Sequence, residues 1–238
     1  MSKPFQFKQF TVQQDKCAMK IGTDGVLLGA WTSIPKTTYS ILDIGAGTGV
    51  IALMLAQRSG AEIIDAIEIE EDAYEQCVEN FETSDWNDRL FCYHASLDEF
   101  AEEIEDKYDL IVSNPPFYED AFPSANDRRD QARFTKALPF QELLKHTSQL
   151  LSENGVFCTI IPSQHYDTFL AFAKAEKLNL KRVTFVKGNE NSPIKRCLLQ
   201  FGFTSVETIE KDKLIIETER HHYTEAYKNL VKDFYLKL

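Results

Sequence analysis

The chain is poor in the residues that bind structural metals. Histidine occurs five times in 238 residues, and the one adjacent pair, His221 and His222, would point its side chains to opposite faces of a strand. The five cysteines occur singly, with no Cys-x-x-Cys spacing, at Cys17, Cys77, Cys92, Cys158 and Cys197. This pattern excludes a disulfide framework or a zinc site, so we expect reduced thiols and no structural metal.

Long apolar runs are also missing. No run approaches the ~18 residues of a membrane helix, and the first five residues, Met-Ser-Lys-Pro-Phe, lack the apolar core of a signal peptide. We therefore expect a cytoplasmic protein with no membrane partner. With no internal repeat, low-complexity tract or linker, residues 1–238 are expected to form one domain, and nothing implies an oligomer.

Basic residues are outnumbered, with 26 Lys and Arg against 37 Asp and Glu and a net charge of −11. The excess of acidic residues is confined to residues 62–109. This stretch contains eighteen acidic residues and only two basic ones, Arg89 and Lys107, so its local charge is −16. The rest of the chain therefore carries +5, since −11 less −16 is +5. Residues 1–40 and 181–200 each carry a net positive charge, so the charge distribution is compatible with RNA binding on one face.

Strand and helix patterns alternate along the chain. Strands are predicted near 40–44, 62–68, 90–95, 108–113, 155–161, 180–187 and 195–203, and helices near 49–59, 71–82, 97–105, 138–151 and 163–177. Such alternation predicts a mostly parallel seven-stranded sheet with helices on both faces, and the short connection between the last two strands makes one strand antiparallel. Residues 1–38 are expected to extend over a ligand site. Residues 204–238 are expected to add a short strand near 213–217 and a helix from Tyr223 to Leu236 with apolar spacing.

A glycine turn follows the first of these strands. Residues 41–49 read Ile-Leu-Asp-Ile-Gly-Ala-Gly-Thr-Gly, in which glycines allow close backbone approach to a ligand at the start of a helix. Glu68 ends the next strand, where a carboxylate can accept both ribose hydroxyls. The Gly-x-Gly-x-Gly spacing differs from the Gly-x-Gly-x-x-Gly of pyrophosphate cradles. With Asp43 before the turn, it favours a cationic nucleoside cofactor, S-adenosylmethionine, over a dinucleotide.

The tetrapeptide Asn114-Pro115-Pro116-Phe117 lies directly after the apolar run 109–113. Tandem prolines cannot continue a strand, so these residues form a stiff loop at a strand's carboxyl end, where ligands bind in open α/β sheets. An amide oxygen, a carbonyl beside proline and an aromatic face together suit the amino group of a nucleobase. Taken alone, the tetrapeptide could equally do no more than end a strand.

A stretch of about 20 residues between Phe117 and Leu138 has no clear periodicity. It contains Arg128, Arg129, Arg133 and Lys136. Since it follows the proline loop, we interpret it as a lid or an RNA-contacting loop. Arg133, Lys195 and Arg196 are the predicted RNA-binding residues.

These motifs resemble the Rossmann-like S-adenosylmethionine-dependent methyltransferases, and among them the amino-group methylators with an Asn/Asp-Pro-Pro-aromatic loop. Motifs near the two ends of the chain restrict the resemblance to one family of these methyltransferases. Phe7-Lys8-Gln9-Phe10, residues 15–20 and 23–31, and Tyr223 to Tyr227 with residues 234–236 are similar to the bacterial tRNA1(Val) adenine-N6 methyltransferase family, which modifies adenosine 37 of the anticodon loop. The resemblance spans nearly the whole chain.

Site residues follow from this resemblance. It implies that Asp43, Gly45, Gly47 and Gly49 line the methionine side of the cofactor, that Glu68 holds its ribose, and that residues 114–117 receive the target base. It also implies that Thr23 and Asp24 lie near the cofactor. The family often has an acidic residue just after the third strand that meets the cofactor's adenine amine. This chain departs from that pattern, and Ser96 and Asp98 are the two candidates for the contact. Phe117 replaces a common Tyr and lacks its hydroxyl.

Several rival functions remain open. A methyltransferase acting on ribosomal RNA is the main alternative, because one fold serves many substrates. A DNA adenine methyltransferase would need a larger recognition insert than the 20-residue stretch offers. A protein-glutamine methyltransferase would need a separate helical N-terminal domain, and a cofactor-binding module without catalysis would not need Asn114.

Overall fold

The structure is a computed structural model that describes residues 3–116 and 139–237. Its strands are β1 (Phe5–Gln6), β2 (Thr11–Val12), β3 (Ser40–Ile44), β4 (Ile63–Glu68), β5 (Leu90–His94), β6 (Tyr108–Ser113), β7 (Leu151–Pro162), β8 (Asn179–Lys187), β9 (Ile194–Gly202), β10 (Glu210–Ile215), β11 (Glu217–Glu219) and β12 (His222–Tyr223). Its helices are α1 (Thr23–Trp31), α2 (Val50–Arg58), α3 (Glu71–Glu82), α4 (Leu97–Glu103), α5 (Phe140–Leu150), α6 (Tyr166–Ala175) and α7 (Glu225–Val231). A short 3₁₀ turn, Ser163–His165, precedes α6.

The central sheet has eight strands in the order β10-β8-β9-β7-β6-β3-β4-β5. Only β9 runs antiparallel to its neighbours within this sheet, and the other pairs are parallel. The α/β class, the parallel sheet and the single antiparallel strand are therefore confirmed. The sheet has one strand more than the seven predicted, because β10 adds to its edge beside β8.

Two hydrophobic clusters cover the two faces of the sheet. One contains the apolar residues of α1, α2 and α7, and the other those of α4, α5 and α6. The central strand β3 is buried at all five positions, as expected of a parallel strand with helices on both sides. The last helix is shorter than the apolar spacing predicted and ends at Val231.

The two ends of the chain lie together. β1 and β2, each two residues long, form an antiparallel hairpin. Phe7 forms a β-bridge with Tyr235, just after α7. Their rings stack with centroids 6.0 Å apart. The segments near the two chain ends that carried the resemblance to the tRNA methyltransferases therefore lie together, and α7 packs against α1.

Candidate functional site

The glycine turn begins where β3 ends. Gly45, Gly47 and Gly49 all have positive φ, at 72°, 57° and 76°, a region that side chains with a Cβ avoid. The amides of Gly45 and Ala46 both donate to the carbonyl of Ile67 on β4, each at 3.0 Å. The turn is thus fixed to the neighbouring strand and delivers the chain into α2.

The three glycines serve different purposes. A Cβ built on Gly45 or Gly47 would meet no atom of the described residues within 4 Å, so these two face open space at the sheet edge. A Cβ on Gly49 would lie 2.5 Å from Phe81 Cε1 and 2.8 Å from Cys77 Sγ. Gly45 and Gly47 therefore leave room for a ligand, whereas Gly49 lets α2 pack against α3.

Glu68 is buried at the carboxyl end of β4 and supports the turn. Its Oε2 accepts the amide of Gly47 at 2.8 Å, and its Oε1 accepts the amides of Ile69 at 2.9 Å and Glu70 at 3.0 Å. A carboxylate has about four lone-pair sites, so Oε2 can still accept from a further donor such as a hydroxyl. The side chain of Ile69, next to it, is 52% exposed, an apolar surface beside the carboxylate.

Asp43 is fully buried below the turn. Its Oδ2 accepts the amide of Ala52 in α2 at 3.1 Å, while its Oδ1 has no partner in the described part of the chain. Burial raises the pKa of Asp43 to about 7, with the Ala52 bond opposing the shift and the charge of Glu68 adding to it. A nearby positive charge would favour the ionised form.

The proline loop begins beside the glycine turn. Ser113, the last residue of β6, pairs with Ile44 of β3 and donates its hydroxyl to the Ile44 carbonyl at 2.9 Å. Asn114 follows, and its Oδ1 is buried without a partner among the described residues. Pro115 is buried and Pro116 is half-buried. Phe117 lies outside the described residues.

These features fit a cationic nucleoside cofactor and an amine acceptor. Two buried acceptor oxygens, Asp43 Oδ1 and Asn114 Oδ1, occur at the ends of neighbouring strands with no donor from the described residues. Buried polar atoms normally have partners. Seven other buried side-chain atoms of the described residues also lack a hydrogen-bond partner, but these two lie beside the glycine turn, where a ligand can supply the donors. The space at Gly45 and Gly47 and the carboxylate of Glu68 complete the set.

The N-terminal segment packs beside this site. Gln13 and Lys16 are held by the buried side chains of Asn80 and Gln76 on α3. Cys17 is buried close enough to Glu68 for that carboxylate to contribute, after burial itself, to raising the pKa of the thiol to about 11. α1 then begins at Thr23, which is exposed, and Asp24 pairs with Arg196.

Asn80 is a site residue that sequence patterns did not indicate. Its Nδ2 donates to the carbonyls of Thr48 and Gln13, each at 2.9 Å, and its Oδ1 accepts the amide of Gln13 at 2.7 Å. It therefore ties the glycine turn to the N-terminal segment. The one available signal was a polar side chain on the apolar face of α3, which is a weak indication.

Ser96 and Asp98 are engaged in contacts of their own. Ser96 caps α4 in a capping box with Glu99, and its hydroxyl donates to Glu99 Oε2 at 2.8 Å. Asp98 is exposed and lies 3.5 Å from His146 Nε2 on α5. Neither side chain is shown to reach the cofactor side, so a contact with an adenine amine stays a prediction.

The predicted RNA-binding residues occupy different surroundings. Lys195 is exposed at the start of β9, and its side chain has no partner in residues 3–116 and 139–237. Arg196 is half-buried and paired with Asp24, while Arg133 lies outside the described residues. Within those same residues, no cluster of three His, Cys, Asp or Glu could hold a metal ion, and no helix is long and apolar enough to span a membrane.

Sequence comparisons find a matching family model and relatives similar over the full length of the chain. The family model "Methyltransferase small domain" matches residues 22–177. A tRNA1(Val) (adenine(37)-N6)-methyltransferase of Christiangramia forsetii is 60% identical over 100% of this chain and 99% of its own. Proteins of the same name in Parabacteroides distasonis and Proteus mirabilis are 44% and 43% identical, over 100% and 98% of this chain and 100% and 93% of theirs.

Solved structures share the fold at low sequence identity. A predicted O-methyltransferase of Agrobacterium tumefaciens superposes with a TM-score of 0.68 at 18% identity, over 89% of this chain and 96% of that one. M. capricolum TrmK, solved in complex with S-adenosyl-homocysteine, gives a TM-score of 0.53 at 14% identity, over 77% and 70%. Both are similar in architecture across most of the chain.

Proposed function

Since this chain belongs to the methyltransferase small domain family and, within it, to the tRNA1(Val) (adenine(37)-N6)-methyltransferases, we propose that it methylates N6 of adenosine 37 in the anticodon loop of a valine tRNA. The methyl donor is S-adenosylmethionine. The observation that carries the proposal is Asn114, whose buried Oδ1 has no partner in the described residues and lies beside a glycine turn suited to that donor.

The cofactor would be held by residues of the β3 and β4 ends. The space at Gly45 and Gly47 receives its methionine part, with Gly49 keeping α2 in place behind them. Glu68 accepts the ribose hydroxyls, and Asp43 supplies a buried negative charge towards the positively charged part. Thr23, Asp24, Ser96 and Asp98 remain proposed contacts, and residues 1–38 are proposed to cover the site. When bound, S-adenosylmethionine supplies an electrophilic methyl group on a sulfonium.

The acceptor base would be held by the proline loop. Adenine N6 is a poor nucleophile because its lone pair is delocalised into the ring. Asn114 Oδ1 and the Pro115 carbonyl accept the two amino hydrogens, which turns the lone pair towards the methyl carbon and stabilises the positive charge that develops on N6. Pro116 stiffens the loop, and Phe117 stacks on the base, worth ~1–3 kcal/mol.

No general base is needed in this scheme. N6 would become cationic as its bond to the methyl carbon forms and the bond between that carbon and the sulfonium sulfur breaks, which leaves a neutral thioether. The surplus proton on N6 would then pass to solvent. Adenosine 37 lies in a loop, so the enzyme can turn out an unpaired base instead of opening a duplex. The chain's task is therefore to orient the amino group rather than to deprotonate it.

RNA contact outside the base pocket is proposed for Lys195, Arg196 and Arg133. Lys195 is the best placed of the described pair. Its ammonium is exposed and has no partner among the described residues, and it lies at the carboxyl edge of the sheet, the edge where Asn114 lies. A lysine in that position can neutralise one phosphate.

The substrate is tested by methylating total RNA from a strain that lacks this gene, followed by mapping of the labelled nucleoside. We expect label in a valine tRNA, recovered as N6-methyladenosine at position 37. Label in ribosomal RNA, or in any other nucleoside, would overturn the proposed substrate.

A further inference from the structure

Asp24 and Arg196 meet although 172 residues separate them in sequence. Arg196 Nε lies 2.7 Å from Asp24 Oδ2, and the two side chains are 32% and 28% exposed. Asp24 belongs to the first turn of α1, and Arg196 to the start of β9. The pair therefore joins a residue proposed to lie near the cofactor to one proposed to contact RNA.

On one side, the pair lies next to the start of α2. Gly25 follows Asp24, and a Cβ built on it would be 3.6 Å from Cγ1 of Val50, the first residue of α2 after the glycine turn. Farther along, a Cβ on Gly29 would be 2.7 Å from Met54 Sδ. Because α1 packs this closely on α2, the position of its first turn is coupled to that of the glycine turn.

On the other side, the pair lies near the acceptor loop. Arg196 is the register partner of Pro162 at the end of β7, and β7 is the neighbour of β6, which ends just before Asn114. Two strand spacings place β9 about 10 Å from β6. In the strand order, the proposed base site at the end of β6 therefore lies between Arg196 on β9 and the proposed cofactor site at the ends of β3 and β4.

The other end of α1 has its own anchor. Trp31 Nε1 donates to Thr184 Oγ1 of β8 at 2.9 Å, and the Arg182 guanidinium lies 4.4 Å from the centroid of the Trp31 ring. The contact between Asp24 and Arg196 thus fixes the first turn of a helix whose last turn is held independently. Removing it should loosen that turn without detaching the helix.

We propose that Arg196 is a positioning residue for the cofactor site: through its ion pair with Asp24 it holds the first turn of α1 against the glycine turn. This role deepens the proposed function and rests on it. It predicts that loss of the guanidinium weakens cofactor binding more than RNA binding. A simple phosphate-binding arginine would do the reverse.

The test is a double-mutant cycle of Arg196→Ala and Asp24→Asn, measured by calorimetry with S-adenosylmethionine. We expect Arg196→Ala to weaken binding about tenfold, Asp24→Asn to weaken it at least as much, and the double variant to be no weaker than Asp24→Asn alone, because residues that act as one pair are non-additive. Arg196→Lys, which keeps a positive charge, should recover part of the loss. Thermal unfolding of each variant checks that the fold is retained.

Lys195→Ala is the matched control, since Lys195 is the neighbouring base but has no side-chain partner in the described residues. It should leave cofactor affinity unchanged. Additive losses in the cycle, or unchanged cofactor affinity in Arg196→Ala, would overturn the positioning role. Because calorimetry uses the cofactor alone, this result is independent of which RNA the enzyme methylates, and a failure of the tRNA assignment would appear only in the RNA mapping.

Discussion

Asn80 and Gln13 exchange two hydrogen bonds across 67 residues of sequence, and the same Asn80 amide reaches the carbonyl of Thr48 inside the glycine turn. One buried side chain therefore joins the N-terminal segment, α3 and the turn. The position of the N-terminal segment and the shape of the turn therefore depend on the same amide group.

Asn80→Asp tests this connection, because it keeps the shape and removes both donated bonds. We expect the free energy of unfolding to fall by about 1–3 kcal/mol, the cost of leaving buried carbonyls unpaired. S-adenosylmethionine should bind about tenfold more weakly by calorimetry. Asn87→Asp is the control, since Asn87 is exposed, and it should change neither quantity. Wild-type affinity in Asn80→Asp would contradict the connection.

Gly47 and Gly49 should respond differently to alanine. Both have positive φ, so each substitution carries about 1–2 kcal/mol of backbone strain. Gly49→Ala adds a clash with Phe81 and Cys77 and should lower thermal stability more. Gly47→Ala places its methyl group in the space proposed for the cofactor. It should therefore weaken cofactor binding but lower thermal stability less than Gly49→Ala does. Equal effects of the two substitutions on thermal stability and on cofactor affinity would argue against these separate roles of Gly47 and Gly49.

Asp43 should make cofactor binding depend on pH. Burial raises its pKa to about 7, so the carboxyl is increasingly protonated below that pH, and its attraction for a cationic ligand is lost. Affinity for S-adenosylmethionine should rise between pH 6 and pH 8, by at most about tenfold per pH unit. Asp43→Asn should remove this rise. A wild-type affinity that does not change with pH would show that Asp43 does not interact with the positive charge of the cofactor.

The same shift has a consequence for stability without ligand. The folded protein holds the Asp43 proton up to about pH 7, whereas the unfolded chain releases it near 3.8. Within that window the folded state binds more protons, so the Asp43 contribution to the free energy of unfolding declines as pH rises. Denaturant titrations of wild type and Asp43→Asn between pH 5 and pH 8 should diverge in that direction. A constant difference would contradict a raised pKa.

Lys195→Ala should affect RNA alone. If the ammonium neutralises one phosphate, the slope of log affinity against log salt should fall by about 0.7–0.9, and tRNA binding should weaken. Lys174→Ala, an exposed lysine near the opposite edge of the sheet, is the matched control and should leave the slope unchanged. An unchanged slope in Lys195→Ala would remove that residue from the RNA surface.

The sequence predicted the central elements because buried parallel strands are short apolar runs with clear ends. β3 matches its predicted range, 40–44, and the glycine turn and the proline loop follow the strands as expected. β10 was assigned only as a short extra strand near 213–217, since its first four residues, Glu-Lys-Asp-Lys, are exposed and show no apolar alternation. The two-residue strands of the N-terminal hairpin are too short for any period to show.

The site was predicted in part, because its motifs are local and its supports are not. Asp43, the glycines, Glu68 and Asn114 lie at the ends of neighbouring strands, as the strand pattern predicted, while their roles toward ligands stay predictions. The role of Asn80 and the pairing of Asp24 with Arg196 depend on contacts between residues that are 32 to 172 positions apart in the sequence. No motif spacing predicts such contacts. The predictions for Phe117 and Arg133 concern residues outside the described part of the chain.

The central claim, that Asn114 holds the amino group to be methylated, is tested most directly by the single-turnover rate of Asn114→Ala on valine tRNA, with S-adenosylmethionine affinity measured on the same preparation. We predict a rate at least about 10²-fold below wild type with cofactor affinity unchanged, because the lost acceptor acts on the charge that develops during transfer. A near-normal rate at normal cofactor affinity would contradict the claim.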